Sequence, residues 1–307
     1  MTNIDMVYYI MMETWRWDMR IKASRFIPFA LSLGHVGWPL SASSTGNLVA
    51  EMRNVDGIAD SSFLVEEAYN QEPGVVQHIF TAIYTFDSEG EDSRNWNLAF
   101  TQEWPFFSQK HQLSYTVPYN FTDADGSSVG GFGDVLLYYR HQLCYDYRML
   151  TAFAPRFSLI LPTGDDFQGG GEETLGYQVN LPFSKTFNDD WFVHLNAGST
   201  FLSDAVSGNG RDLWHYNLGA SAIYAPARNF HFLLEWVGDW LEAANSGGGL
   251  DYEFVSLISP GVRKALDFRN GAQLVLGAAV PIGLNSASPD FGVFLYVSFE
   301  HLFRPQP

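Results

Sequence analysis

From Gly74 to Phe303 the chain repeats one unit, a stretch of about ten residues alternating apolar and polar side chains followed by a turn. The turns alternate too, between short links and longer links rich in Gly and acidic residues. A period of two sends successive side chains to opposite faces of a strand. Each stretch is therefore a strand between two unlike solvents. Repeated with short and long links in strict turn, the pattern predicts an antiparallel β-barrel that crosses a bilayer, with apolar residues to lipid and polar residues to the lumen.

The alternation is explicit in the residues. Trp96, Leu98, Phe100 and Trp104 oppose Asn95, Asn97, Thr101 and Glu103. Leu113, Tyr115, Val117, Tyr119 and Phe121 oppose Gln112, Ser114, Thr116 and Asn120. Leu175, Tyr177, Val179, Leu181 and Phe183 oppose Gln178, Asn180 and Ser184, and Trp214, Tyr216, Leu218 and Tyr224 oppose His215, Asn217 and Ser221. Twelve such stretches are predicted, with cores at 75–86, 94–104, 111–121, 133–143, 150–162, 174–186, 191–202, 213–225, 229–241, 252–264, 271–284 and 291–303. Each is long enough for the ~9–11 tilted residues a membrane strand needs. Trp96, Trp104, Tyr119, Phe121, Trp191, Trp214, Trp236 and Trp240 are read as aromatic girdles at the two interfaces.

The links set the orientation. DSEGEDSR, TDADGSSVGG, TGDDFQGGGEE, SDAVSGNGRD, EAANSGGGLD and NSASPD fall on one side, and CYDYR, FNDD and APARN on the other. Short turns in such barrels are periplasmic. An even strand count returns both ends of the barrel to that side. The long links hold Asp87, Glu89, Glu91, Asp92, Asp123, Asp125, Asp165, Asp166, Glu172 and Glu173, so much of the net charge of −17 lies on the exterior rim. A chain this acidic repels nucleic acid. The mean hydropathy of −0.08 fits a protein whose apolar residues are every second one, and no apolar run reaches the ~18 residues of a membrane helix.

The segment before the barrel has a different composition. Met19 to Ser43 has basic Arg20, Lys22 and Arg25, an apolar stretch from Phe26 to Leu40, and small residues at Ser41, Ala42 and Ser43. This is the pattern of a secretory signal peptide cleaved near Ser43 or Ser44. Translation is expected to start at Met19, with a soluble N-terminal arm over 1–18 as the alternative. The predicted organisation is thus an upstream extension and signal peptide over 1–43, a periplasmic lead-in or small plug over 44–73, and the barrel over 74–307. Within the lead-in, Phe63, Leu64, Ala68 and Tyr69 can line one side of a short helix capped by Ser61 or Ser62, with Glu66 and Glu67 exposed. One amphipathic turn is a weak signal, which favours a solvated lead-in over a plug.

The lone cysteine, Cys144, has no partner for a disulfide and no base on its face, and is read as filler. Pro118, Pro155, Pro162, Pro182, Pro260 and Pro281 interrupt strands, several beside glycines. They imply bends and bulges, or else a lateral opening from lumen to lipid.

The run Gly131-Phe132-Gly133-Asp134 followed by Val135 to Leu143, and Pro155 to Asp165 with its Pro162-Thr163-Gly164-Asp165 end and Gly-rich loop, resemble the outer-membrane family called the MetA-pathway of phenol degradation family. The resemblance spans Gly74 to Phe303. It implies a barrel that transports aromatic or other poorly soluble compounds, and it brings no catalytic motif.

Hydrolytic barrels place a His and a Ser two positions apart on one strand. Here His194 is followed by Asn196, His215 by Asn217, His231 by Leu233 and His301 by Phe303, so that geometry is missing. TDADG from Thr122 lacks the closing Glu of a calcium loop, and GGGEET lacks the Lys of a phosphate loop. No cofactor or metal is expected. The chemistry is sought in the lumen, where Glu103, Arg140, Arg156, His194, His215, His231, Glu235, Asp239, Arg263 and Glu300 are predicted to face inward as a mixed-charge constriction. The sequence therefore predicts an outer-membrane channel for small, hydrophobic or aromatic solutes passing through a polar lumen. Its expected partners are membrane lipid, lipopolysaccharide and the barrel insertion machinery. The alternatives are an adhesive barrel with acidic, cation-binding loops, and a barrel lipid hydrolase.

Overall fold

The structure, a computed structural model, describes residues 57–58, 62–87, 93–124, 127–146, 150–164, 174–206, 210–245 and 248–303. The expected signal peptide and start site, and most of the acidic link residues, lie outside them. The fold is a closed antiparallel barrel of twelve strands. These are β1 (Val75–Asp87), β2 (Ser93–Phe106), β3 (Ser108–Ala124), β4 (Ser127–Phe132, Val135–His141 and Cys144–Asp146), β5 (Thr151–Phe153 and Arg156–Leu161), β6 (Gly176–Asn180 and Phe183–Asn188), β7 (Trp191–Val206), β8 (Arg211–Ala227), β9 (Phe230–Ala244), β10 (Leu250–Asp267), β11 (Gln273–Ala279 and Ile282–Gly283) and β12 (Phe291–Leu302). β12 closes on β1 from Val75 opposite Leu302 to Phe86 opposite Phe291, which leaves no edge to pair with lipid or another chain.

Burial follows the alternation. In β12 the outward Phe291, Val293, Leu295, Val297 and Phe299 are exposed and the inward Phe294, Tyr296 and Ser298 are buried. Trp96, Phe121 and Trp214 lie outward near the long-link ends of their strands, and Trp191, Phe187 and Phe268 near the short-turn ends. Trp236 departs from the expected girdle. It pairs with Ala220 and Ile258 in mid-wall and donates from Nε1 to Ser256 Oγ at 3.0 Å.

The expected extent of the links is corrected. Much of TDADGSSVGG and SDAVSGNGRD is ladder: Ser93 to Asn95 pair with Thr122 to Ala124, and Thr122 to Ala124 pair with Ser127 to Val129. Strand hydrogen bonds need not stop at the edge of the hydrocarbon, so the wall projects beyond it. The strand breaks, in turn, fall at or opposite prolines. Pro155, Pro182 and Pro281 sit in the breaks of β5, β6 and β11, and the Gly133-Asp134 break of β4 faces Pro118. Each proline lacks an N–H but its carbonyl stays paired, accepting from His141 (3.0 Å), Ala154 (3.2 Å), Gly292 (2.7 Å) and Gly133 (2.9 Å) respectively. The wall bends there and remains joined.

The two motifs quoted above form one clasp. Asp134 is fully buried, and its Oδ1 accepts the N–H groups of Thr163 (3.0 Å) and Gly164 (2.8 Å). The Val135 N–H donates to Thr163 Oγ1 at 2.8 Å. The break in β4 is thereby tied to the end of β5.

Candidate functional site: the occupied lumen

The inner face is built by the same period of two, and it has two sides. From β2 to β8 it is mostly polar, with Asn97, Thr101, Gln112, Thr116, Arg140, Arg156, Gln178, Asn180, His194, Asn196 and Asn217 buried beside the apolar Leu136, Tyr138, Ile160, Leu202, Leu213 and Ile223. From β9 through β12 to β1 it carries the larger part of one apolar cluster, including Val237, Leu241, Val255, Leu257, Val275, Phe294, Tyr296 and Ile83, and the same cluster reaches the apolar residues of β4 to β8. A polar, mixed-charge lumen was expected. The sequence pattern hid the apolar side because β12 and β10 are apolar on both faces over part of their length, and a run without alternation does not reveal which residues face in.

The lumen holds part of the chain itself. Gly57 lies at the short-turn mouth, where Gln273 Nε2 donates to its carbonyl at 3.2 Å. Residues 62–71 then run through the interior and return to the same mouth, where β1 begins at Val75. Every one of these ten residues is buried. The expected short helix is not there, and Glu66 and Glu67 are not exposed: they are 6% and 5% accessible. The reason lies in where the backbone hydrogen bonds go, since a buried N–H has to find an acceptor. Here wall side chains take the place of the i−4 carbonyls of a helix. Glu235 Oε1 accepts from Leu64 (2.9 Å) and Val65 (3.0 Å). Asn196 Oδ1 accepts from Glu66 (2.8 Å), Ser184 Oγ from Ala68 (2.7 Å), Gln142 Oε1 from Asn70 (3.3 Å) and Gln112 Oε1 from Gln71 (2.7 Å). Ser62, proposed as a helix cap, instead shares a 2.7 Å hydrogen bond with Ser221.

One arginine anchors the return path. Arg140 donates from Nε to Asn70 Oδ1 (2.8 Å), from Nη1 to Glu66 Oε1 (3.0 Å) and to the Glu67 carbonyl (3.0 Å), and from Nη2 to the Tyr69 carbonyl. The other Glu66 oxygen, Oε2, accepts from Asn180 Nδ2 (2.8 Å) and lies 3.1 Å from Arg156 Nε. Arg156 also donates to Gln178 Oε1 (2.8 Å), and its guanidinium lies 4.4 Å from the Tyr138 ring centroid. On the apolar side Phe63 packs against Phe294 and Tyr296, each with ring centroids 5.3 Å away, and lies over Gly261 and Gly277.

The sequence-predicted lumen residues are spread along this interior. Arg140, Arg156, His194 and Glu235 touch the inserted segment directly. Glu103 accepts from Gln112, which in turn holds Gln71. His231 accepts from Arg263 Nε at 3.2 Å nearer the short-turn mouth, and His215 accepts the Glu242 N–H at 2.9 Å nearer the opposite rim. Asp239 is buried beside Asn217 in the ladder, and Glu300 is half-buried opposite Gln77 and Gln273. The amides Gln112, Gln142, Asn180 and Asn196 and the residue Glu66 were missed as site residues. The amides were visible only as the polar half of an alternation.

A cross-strand Ser–His pair also emerges, with Ser184 Oγ 2.7 Å from His194 Nδ1. Its hydroxyl already accepts the Ala68 N–H, and Tyr69 packs edge-on to the imidazole. The pair is sealed by the inserted segment and serves to hold it.

No protein-family model and no curated protein matches the chain. Solved structures do. The COG4313 outer membrane channel from Pseudomonas putida F1 is similar at a TM-score of 0.60 and 13% identity, over 77% of this chain and 98% of that one. The β-domain of the Bordetella autotransporter BrkA follows at 0.45 and 13% identity, over 75% and 99%. The Ralstonia pickettii toluene transporter TbuX matches at 0.43 and 11% identity, over 82% and 100%. At these identities the first likeness is one of fold, and that fold is the outer-membrane barrel.

Proposed function

We propose that the chain is an outer-membrane channel for small solutes, in which residues 62–73 act as a displaceable plug. One observation carries this reading. Part of the interior is filled by a tethered segment held through side-chain hydrogen bonds, beside the wall's own inward side chains, which in the smallest barrels do all the filling. Removing the segment takes away no pairing of the twelve wall strands. It leaves a passage with an apolar flank and a polar, arginine-bearing flank. An interior of that kind suits solutes that are partly apolar, in line with the aromatic or poorly soluble compounds implied by the resemblance of Gly131 to Asp134 and Pro155 to Asp165. The role needs no cofactor and no chemical step.

Planar-bilayer recording of the full chain and of a variant lacking residues 57–73 tests the reading. The full chain should pass little current. The shortened barrel should show steady single-channel steps and retain heat-modifiable gel mobility. A folded, shortened barrel as closed as the full chain would overturn the proposal.

A further inference from the structure

The inserted segment is seated as a ligand would be. One of its carboxylates, that of Glu66, meets two guanidinium groups and an amide: Arg140 Nη1 at 3.0 Å on Oε1, and Arg156 Nε at 3.1 Å and Asn180 Nδ2 at 2.8 Å on Oε2. All three wall groups are buried and belong to separate strands, β4, β5 and β6. Burying two arginines in a wall is costly unless an anion completes them. The wall strands are thus built around an anion, and in this conformation the chain supplies it. Three residues earlier Phe63 fills an apolar seat on Phe294 and Tyr296 across the lumen.

We infer that Arg140, Arg156 and Asn180 form a carboxylate-binding site for the transported solute, an organic acid with an apolar body, and that Glu66 occupies it in the solute's absence. The solute's carboxylate replaces Glu66 while its apolar part covers the flank that Phe63 vacates. Cargo and plug exclude each other, so binding releases the segment. Arg140 gives the coupling its physical basis: the guanidinium that pairs with Glu66 also holds the carbonyls of Glu67 and Tyr69 and the side chain of Asn70. This deepens the channel reading and rests on it for its biological sense, but its test reads binding and not current.

Phenylacetate, phenylacetamide and acetate are titrated calorimetrically into the purified full-length barrel, its Glu66→Ala variant, and that variant carrying Arg156→Ala as well. Charge-assisted hydrogen bonds predict that freeing the site tightens phenylacetate binding by about tenfold or more. Phenylacetamide and acetate should gain little, and Arg156→Ala should cancel the gain. An equal gain for phenylacetamide would leave only an apolar cavity, and no gain for phenylacetate would remove the site; either overturns the inference. Should Glu66→Ala fail to show heat-modifiable mobility, the unaltered protein decides. Phenylacetate should speed cleavage within 62–73 by a glutamate-specific protease several-fold and phenylacetamide should not, and equal rates would overturn the inference. A barrel that binds phenylacetate as described yet stays closed in the bilayer after deletion of 57–73 would sink the channel reading and leave the site standing.

Discussion

Gly277 illustrates how much single positions decide inside this barrel. A Cβ there would overlap the Phe63 ring, and one at Gly261 would come within 2.8 Å of it. The ring is boxed in by Phe294 and Tyr296 and has no room to retreat. Gly277→Val should therefore expel Phe63 from a burial worth about 1.5–3 kcal/mol. Cleavage of the 62–73 segment by a glutamate-specific protease should rise on the order of tenfold, while the barrel keeps its heat-modifiable mobility; unchanged protection would mean the ring is not held there. On the outer face depth decides instead. Val179 is 44% accessible in mid-wall and Phe187 is 64% accessible beside a short turn. Val179→Arg should cost about 2–4 kcal/mol and Phe187→Arg at most about 1 kcal/mol, measured by reversible unfolding in liposomes. Equal costs would refute the placement of the lipid boundary.

At the level of elements, β4 and β5 are kept in register across their breaks by the Asp134 clasp. Its carboxylate accepts two backbone N–H groups that the interrupted ladder leaves over. Asp134→Ala should cost about 1.5–3 kcal/mol in the same unfolding measurement, because two part-buried N–H groups lose a charged, buried acceptor. Asp134→Asn, which keeps an acceptor, should recover part of that. A silent alanine variant would show that the break relies on the rest of the ladder. β12 is indispensable for a different reason, since it closes the wall against β1 along its whole length. Deleting residues from Phe291 onward exposes two unpaired edges to lipid and should abolish insertion, read as loss of heat-modifiable material from the membrane fraction. Trimming 304–307, which lie outside the described residues, is expected to be silent. The motifs around Gly133-Asp134 and Pro162-Thr163-Gly164 were legible as turns, but that they grip each other was not. They are nearly thirty residues apart, and only the pairing of β4 with β5 brings them together.

The whole molecule has a sidedness that its one thiol can report. Cys144 is exposed and lies in the part of β4 next to a short turn. With short turns facing the periplasm, a membrane-impermeant maleimide should leave intact cells unlabelled and react once the periplasm is opened. Labelling of intact cells would invert the orientation. By itself the sequence determined the wall: the number of strands, their cores, the closure of last strand on first, and the face of each side chain wherever apolar and polar residues alternate. A period of two is a local signal, and lipid on one face enforces it at every second residue. The tertiary structure decided what fills the lumen. Phe63 to Gln71 carry no periodicity that distinguishes a buried path from a solvated one. Their burial depends on acceptors supplied by wall residues 41 to 171 positions away, among them Gln112, Ser184, Asn196 and Glu235. Those groups converge only once the sheet has closed, and closure is what turns twelve amphipathic strands into an interior with a shape of its own.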